Sequence, residues 1–221
     1  MTDKRFALVT IGQSPRSDMV PDLRAAVAGK AVEIEEFGAL DGLDTAAVAA
    51  LAPGKGEPRL VSRLADGSEV TVAKRHIDER LEALLTRLDG EGFDAIVLLC
   101  TGLFEGLRLK TPLIESQRVV DETVMTLAGS VGCLGIMLPH KEQIDTFHAI
   151  APKDQQLRFS HASPYGDLRF AEAGRELAEA DLIVMHCMGY SEDMRREVAE
   201  TSGRPVLLAR QMVGSAMRDA L

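Results

Sequence analysis

The chain has 221 residues, 34 acidic against 25 basic side chains for a net charge of −9, and 46% apolar content. That apolar share supports a substantial core, in one large α/β domain or two small lobes. The negative balance and the lack of Trp speak against DNA, RNA or an anionic membrane as partners, although a few cations focused in a cleft still suit a small anion.

Met1 to Arg5 are polar and lead straight into an apolar segment, without a signal-peptide pattern. No run approaches the roughly 18 to 20 apolar residues that span a bilayer. Three cysteines, an odd number without close pairing, fit reduced thiols. The expected location is cytoplasmic.

Phe6 to Ile11 reads as a buried strand. The polar loop Gly12-Gln13-Ser14-Pro15-Arg16-Ser17-Asp18 follows, with Ser17 or Asp18 placed to cap a helix from Met19 to Ala28 that Gly29 stops. Val32 to Phe37 is a second strand, Gly38 to Leu43 a loop, and Thr45 to Leu51 a short helix. After the Pro- and Gly-rich stretch 53–58 the period changes. Arg59 to Leu64 and Glu69 to Ala73 alternate apolar with polar around Asp66-Gly67, which predicts a β-hairpin with one exposed face that flanks the sheet or covers a cleft.

Ile77, Leu81, Leu84, Leu85 and Leu88 mark a helix over 76–90, ended by Gly90 and Gly92. Beyond a strand at 94–99, Val119-Val120 predicts a short strand, with Asp121 capping a helix to Ala128. Cys133 to Leu138 is another buried strand, and Pro139-His140-Lys141-Glu142 opens a helix reaching about Ile150. A weak strand near Leu157 to Ser160 precedes a helix from Asp167 to Ala180. A strand from Asp181, a helix from Ser191 to Thr201, a strand at Val206 to Leu208 and a helix from Gln211 to Leu221 complete the chain. Strands alternating with helices predict an α/β fold of mostly parallel sheets flanked by helices. Two similar lobes are expected, 1–118 with 208–221 and 119–207, with the hairpin added and a cleft between them.

Two segments carry the chemistry. In Asp94-Ala95-Ile96-Val97-Leu98-Leu99-Cys100-Thr101-Gly102 and Asp181-Leu182-Ile183-Val184-Met185-His186-Cys187-Met188-Gly189, an acidic residue opens an apolar run that ends in Cys, one residue, then Gly. Such runs are parallel strands covered on both faces, and ligands bind beyond their carboxyl ends. A Cys in an apolar strand is ordinarily a small core residue. Cys133, at the start of its strand, is read that way. Cys100 and Cys187 instead end their strands, where exposed amides and a following helix N-terminus favour the thiolate.

Cys100, Cys187, His186 and His140 are conceivable metal ligands, but without a Cys-x-x-Cys, a His-x-x-x-His or a dense His/Asp cluster no metal is predicted. The wide separation of the cysteines disfavours a redox pair. Gly12-Gln13-Ser14-Pro15 matches neither the P-loop nor the dinucleotide fingerprint, so no cofactor is indicated. Two facing thiols can, without a cofactor, take a proton from one side of a carbon and return one to the other, which inverts a stereocentre. The developing enediolate needs donors, for which Thr10, Ser14, Thr101 and Gly102 are candidates, with Arg16 as carboxylate clamp.

At these residues the chain resembles the AroM family, through Thr10-Ile11-Gly12-Gln13-Ser14-Pro15-Arg16, Gly38-Ala39-Leu40-Asp41-Gly42-Leu43, Leu99-Cys100-Thr101-Gly102-Leu103-Phe104 and Cys187-Met188-Gly189-Tyr190. It is more distantly similar to the aspartate/glutamate racemase superfamily. That resemblance implies two pseudosymmetric α/β lobes, a Cys from each facing across the cleft, and no metal or organic cofactor, with Cys100 and Cys187 as the pair. Glutamate racemases usually carry Asp-Ser in the first loop and Thr-His after the second Cys, whereas this chain has Gln13-Ser14 and Met188-Gly189. Retention of both thiols sets it apart from the decarboxylase branch.

The expected activity is therefore a cofactor-independent racemase, epimerase or isomerase of a small, amino-acid-like carboxylate, with Cys100 and Cys187 as catalytic acid and base. Thr10, Gln13, Ser14, Arg16, Thr101, Gly102, Met188, Gly189 and Tyr190 are the substrate-binding candidates. His140 and Tyr165 follow strand ends and are further candidates for the pocket wall. His186 reads as a packed histidine that alternation turns away from Cys187, and Arg63 as a solvated residue. The alternatives are a non-catalytic ligand-binding or regulatory protein and an isomerase in which one Cys adds to a double bond. The expected partner is a small-molecule carboxylate, and a homodimer is the ordinary assembly for such domains.

Overall fold

A computed structural model describes residues 3–147, 151, 154–166 and 168–221. The first half runs β1 (Lys4–Thr10), α1 (Val20–Ala26), β2 (Val32–Gly38), α2 (Thr45–Ala49), β3 (Arg59–Arg63), β4 (Glu69–Ala73), α3 (Lys74–Leu88), β5 (Ala95–Leu98), β6 (Leu113–Glu115) and α4 (Ser116–Ala128). The second runs β7 (Cys133–Leu138), a 3-10 helix (Lys141–Thr146), β8 (Gln156–His161), α5 (Phe170–Glu176), β9 (Leu182–Met185), α6 (Glu192–Ser202), β10 (Val206–Leu208) and α7 (Ala209–Asp219).

Two four-stranded parallel sheets result, ordered β2-β1-β5-β6 and β10-β9-β7-β8. Reversing the second list makes the two identical in plan: each half places its second strand outside its first, then its third and fourth on the other side. The fold is thus α/β with two pseudosymmetric lobes, and β5 and β9 are equivalent third strands. The hairpin β3–β4 has no counterpart in the second half.

The acidic residues that open the two cysteine segments explain how this plan is repeated. Asp94 accepts hydrogen bonds from Arg5 N (2.9 Å) and Lys4 Nζ (3.0 Å). Asp181 accepts from Gly132 N (2.9 Å) and Cys133 N (2.8 Å). Each carboxylate therefore registers the start of the third strand against the start of the first, and so fixes where the strand, and the Cys at its end, will emerge.

Both faces of both sheets are covered, as the unbroken apolar runs require. Phe6, Leu8, Val97, Leu134, Ile136 and Val184 face a central core completed by α1, α4 and α7, so one helical layer is shared by the two sheets. Ala7, Val9, Ile96 and Leu98 point the opposite way, onto α3 and the hairpin. Met137, Ile183 and Met185 face α5 and α6, in a cluster that includes Cys133. The C-terminal helix α7 returns to pack on α1 and α4. No helix among the described residues is long and apolar enough to cross a membrane.

Several local expectations are corrected. Val119 and Val120 lie within α4, not in a strand. The strand is Leu113–Glu115, and Val120 and Val124 are core residues of the helix. Two adjacent valines satisfied either period, and the buried spacing of 120 and 124 favours the helical one. Asp121 accordingly caps nothing and accepts from Gln117 Nε2 inside the helix at 2.8 Å. Neither Ser17 nor Asp18 caps α1, whose N-cap is Met19 without a side-chain bond, because Asp18 is taken by Arg16. The expected helix end at Ile150 and helix start at Asp167 lie outside the described residues.

The contact between α7 and α1 depends on Gly214, where a Cβ would lie 2.8 Å from Ala26 Cβ. Gly214→Ala should gain up to about 1 kcal/mol of helix propensity but overpack by about 1–3 kcal/mol, a net loss read as a lower urea midpoint. Gly129→Ala, with nothing within 4 Å of the new methyl, should be neutral or stabilising by up to about 1 kcal/mol.

Candidate active site

Leu99 N still bonds Val9 O (2.8 Å) and His186 N bonds Met137 O (2.9 Å), so each cysteine immediately follows the last sheet-paired residue of its segment. In both loops the amide two residues on turns back to the sulfur: Gly102 N to Cys100 Sγ at 3.3 Å, Gly189 N to Cys187 Sγ at 3.4 Å. Both cysteines line one cavity of about 420 Å³ at the carboxyl ends of the sheets, the position at which open α/β sheets bind ligands. Thr101 Oγ1 donates to His186 O at 3.1 Å and ties one cysteine loop to the other.

Arg16 is 3% exposed and reaches both lobes. Its Nε and one terminal nitrogen donate to the two carboxylate oxygens of Asp18 (2.9 and 2.8 Å), and the same terminal nitrogen donates to Tyr165 Oη (2.7 Å). The other donates to Thr10 Oγ1 (2.7 Å). Four of the five guanidinium N–H groups are thereby committed. Burial works against the charge, but the Asp18 hydrogen bond and Tyr165 outweigh it and raise the Arg16 pKa. The same pair holds the Asp18 carboxyl below its ordinary range despite burial. Tyr165 sits close enough to Gly189 that any side chain there would strike its ring, since a Cβ would come within 2.6 Å of Cζ.

The cavity brings together Arg16, Thr101, Gly102, Met188 and Gly189 with both cysteines, and Tyr165 and His186 beside them. The remaining sequence candidates lie elsewhere. Thr10 holds Arg16 from beneath. Gln13 bonds Leu40 O, Leu43 O and Ala65 N, fastening the β2–α2 loop to the hairpin. Ser14 is held by Asp41 through both its amide and its hydroxyl, at 2.7 Å each. Tyr190 is fully buried in the second lobe's core, donating to Ala162 O at 2.9 Å. Arg63, partly exposed, is not a free surface charge: it pairs with Asp18 at 3.4 Å. His140 stands 3.2 Å from Glu69 of the hairpin.

The thiols are less acidic than the sequence implies. Burial pushes Cys100 up to about 12, against the Gly102 amide, and Cys187 raises it further while Arg16 and Lys74 lower it. Burial likewise raises Cys187, against the Gly189 amide, Arg16 and Arg210. The expected helix N-terminus is present after Cys187, where Ser191 caps α6. After Cys100 the chain instead runs irregularly to β6, so no helix dipole assists that thiol.

His186 lines the cavity but, as strand alternation predicts, faces away from Cys187: its ring packs with Phe147 and Gln117 on the side of the central core, whereas Cys187 packs against the α5–α6 cluster. The His186 ring is 4% exposed, packs edge-on against Phe147 at 4.8 Å and lies 3.4 Å from Gln117. Burial lowers its pKa to about 4, leaving a neutral imidazole. Arg210, 2% exposed, escaped notice because it lies far along the sequence in an ordinary amphipathic helix. It donates to Met188 O (3.1 Å), Gly189 O (2.9 Å), Asp18 O (2.9 Å) and Asp22 Oδ2 (2.6 Å), bracing the second cysteine loop against the Arg16 loop.

A family model described as AroM protein matches residues 6–221. Among solved structures, the chain is similar to the maleate isomerase Iso from Pseudomonas putida S16, with TM-score 0.61 and 13% identity over 99% of this chain and 93% of that one. It is similar to arylmalonate decarboxylase at TM-score 0.56 and 14% identity over 98% and 92% of the two chains. Allantoin racemase from Klebsiella pneumoniae follows the same path at TM-score 0.52 and 14% identity over 99% and 87%. These likenesses establish a common fold. No curated protein matches the chain.

A neutral His186 makes stability depend on pH with a definite sign. The unfolded chain protonates this imidazole near 6.5 and the folded chain only near 4, so its contribution is complete above about pH 6.5 and lost as pH falls towards 4. The loss is on the order of 3 kcal/mol. Urea denaturation at intervals between pH 7.5 and 4 should show this decline in the wild type and a flatter curve in His186→Gln.

Proposed function

The chain belongs to the AroM family, and from that membership and the paired cysteines we propose a cofactor-independent racemase, epimerase or isomerase of a small carboxylate. The observation that carries this reading is the equivalence of the two thiols: each follows the third strand of its lobe, each receives the amide of a Gly two residues on, and both line one cavity.

In the forward direction one cysteine, as thiolate, takes the proton α to the substrate carboxylate and becomes a thiol. The other thiol gives its proton to the opposite face of the resulting carbanion and becomes the thiolate. The proton count of the site is unchanged, and reversal serves the other stereoisomer. Charge developing on the carboxylate needs donors. Tyr165 Oη accepts from Arg16 and keeps its own proton to donate, and one Arg16 N–H remains uncommitted. The Gln117 amide at the cavity wall is itself engaged by Asp121 and His186. The hydroxyls of Thr10, Ser14 and Thr101 are engaged within the protein.

The raised thiol pKa values govern the pH dependence. With both cysteines protonated in the free protein at neutral pH, kcat/KM should climb about tenfold per pH unit between 7 and 9, with no plateau in that range. Cys100→Ser and Cys187→Ser should each lower interconversion of stereoisomers about 10²- to 10⁴-fold while the fold is retained by circular dichroism. Unchanged turnover in either variant would remove that thiol from the chemistry. A mass increase equal to the substrate on one Cys would instead identify the single-nucleophile isomerase. Binding of acids that survives both substitutions, without turnover in the wild type, would make the protein a ligand-binding module.

A further inference from the structure

The hairpin β3–β4 supplies a feature that the paired lobes do not. Its register opposes Arg59 to Ala73, Val61 to Thr71 and Arg63 to Glu69, and opposed residues share a face. Leu60 and Ser62 point the other way and are buried against the first lobe. On the Arg59 face, Arg63 pairs with Asp18 at the mouth of the first lobe, and Glu69 reaches across to His140 and Ser163 of the second. The hairpin thus bridges the cleft, and Arg59 lies on its bridging face among the residues lining the cavity.

Three cations line that cavity: Arg16, Arg59 and Lys74. Arg16 is neutralised by Asp18, and Lys74 Nζ is held by Asp78 at 2.6 and 2.9 Å. The guanidinium of Arg59 has neither an ion pair nor a hydrogen bond among the described residues. A partly buried guanidinium with no counter-charge keeps its donors free for an incoming anion. No Asp or Glu occurs among the described residues of the lining, and much of the wall is apolar, including Ile11, Leu60, Leu103, Leu138 and Phe147.

We propose that Arg59 seats an anionic group of the substrate, and that the substrate is an acid bearing an apolar substituent and no ammonium group. This rests on the isomerase reading above for what happens to the acid, but the seat itself stands on the unpaired guanidinium. An α-ammonium group would enter a cavity that offers it no carboxylate and meets it with the one guanidinium, that of Arg59, that has no counter-charge. A carboxylate meets a free planar fork able to bind both of its oxygens, with hydrocarbon surface alongside for an alkyl or aryl group.

The test uses 2-phenylpropionate and 2-phenylglycine, which share an α-phenyl group and a carboxylate and differ in an ammonium group in place of the methyl, with binding measured calorimetrically and α-hydrogen exchange by mass in heavy water. The expected result is saturable binding of 2-phenylpropionate with 2-phenylglycine at least tenfold weaker. Arg59→Gln should weaken 2-phenylpropionate about 10- to 100-fold, with Arg59→Lys between the two. Binding of 2-phenylpropionate unchanged by Arg59→Gln, no binding to the wild type, or preference for 2-phenylglycine would overturn the assignment. Arg59-dependent binding without exchange would leave the seat intact and remove the isomerase reading. Cys-dependent exchange insensitive to Arg59 would do the reverse.

Discussion

A guanidinium buried to 3% exposure between two lobes is the constraint around which the site is arranged. Burial of an unpaired charge is prohibitive, so Arg16 must be met from every side. Asp18 supplies the charge, Thr10 the support beneath, and Tyr165 the contact from the second lobe. Asp18 must then be held in turn, which Arg63 of the hairpin does, and its backbone carbonyl is fixed by Arg210 of the last helix. Segments from the start, middle and end of the chain thus converge on one buried charge. Arg16 also lowers both thiol pKa values against burial.

The site is poised between two opposing demands. In the proposed reaction, proton abstraction from carbon beside a carboxylate requires a thiolate, which the glycine amides and Arg16 favour. Burial opposes it at both cysteines, and the two sulfurs oppose one another because ionising one raises the pKa of the other. That mutual effect is useful in a two-thiol mechanism, since it disfavours the doubly ionised state and keeps one sulfur able to donate. His186 does not relieve the burden, because burial leaves its imidazole neutral. Its placement beside Gln117 and Phe147 makes it part of the wall.

Much of this plan was legible in the amino-acid sequence for a physical reason: each lobe repeats the same strand chemistry. An Asp that registers the strand start, a doubly covered apolar run and a Cys-x-Gly end are local features, and they located both cysteine loops and the sheets beneath them. The hairpin was equally plain, because its period of two differs from everything around it. What could not be read were interactions made across long separations. Nothing near Arg16 announces that Tyr165 will meet it, and nothing in the last helix marks Arg210 as the brace of the Met188-Gly189 loop. Gln13, Ser14 and Tyr190 were reasonable pocket candidates by position, yet their polar groups are consumed in fastening loops or in the core. Val119 and Val120 were misassigned because two adjacent β-branched residues fit a strand as well as a buried helical face.

The central claim is that Cys100 and Cys187 act on opposite faces of one carbon, and it is tested most directly by stereospecific exchange. Each enantiomer of a turned-over acid would be incubated in heavy water with Cys100→Ser and with Cys187→Ser, and α-deuterium measured before any inversion. The two-face account predicts opposite preferences: each variant exchanges chiefly the enantiomer whose hydrogen faces its remaining thiol. Equal exchange of both enantiomers by either variant, or the same preference in both, would contradict it.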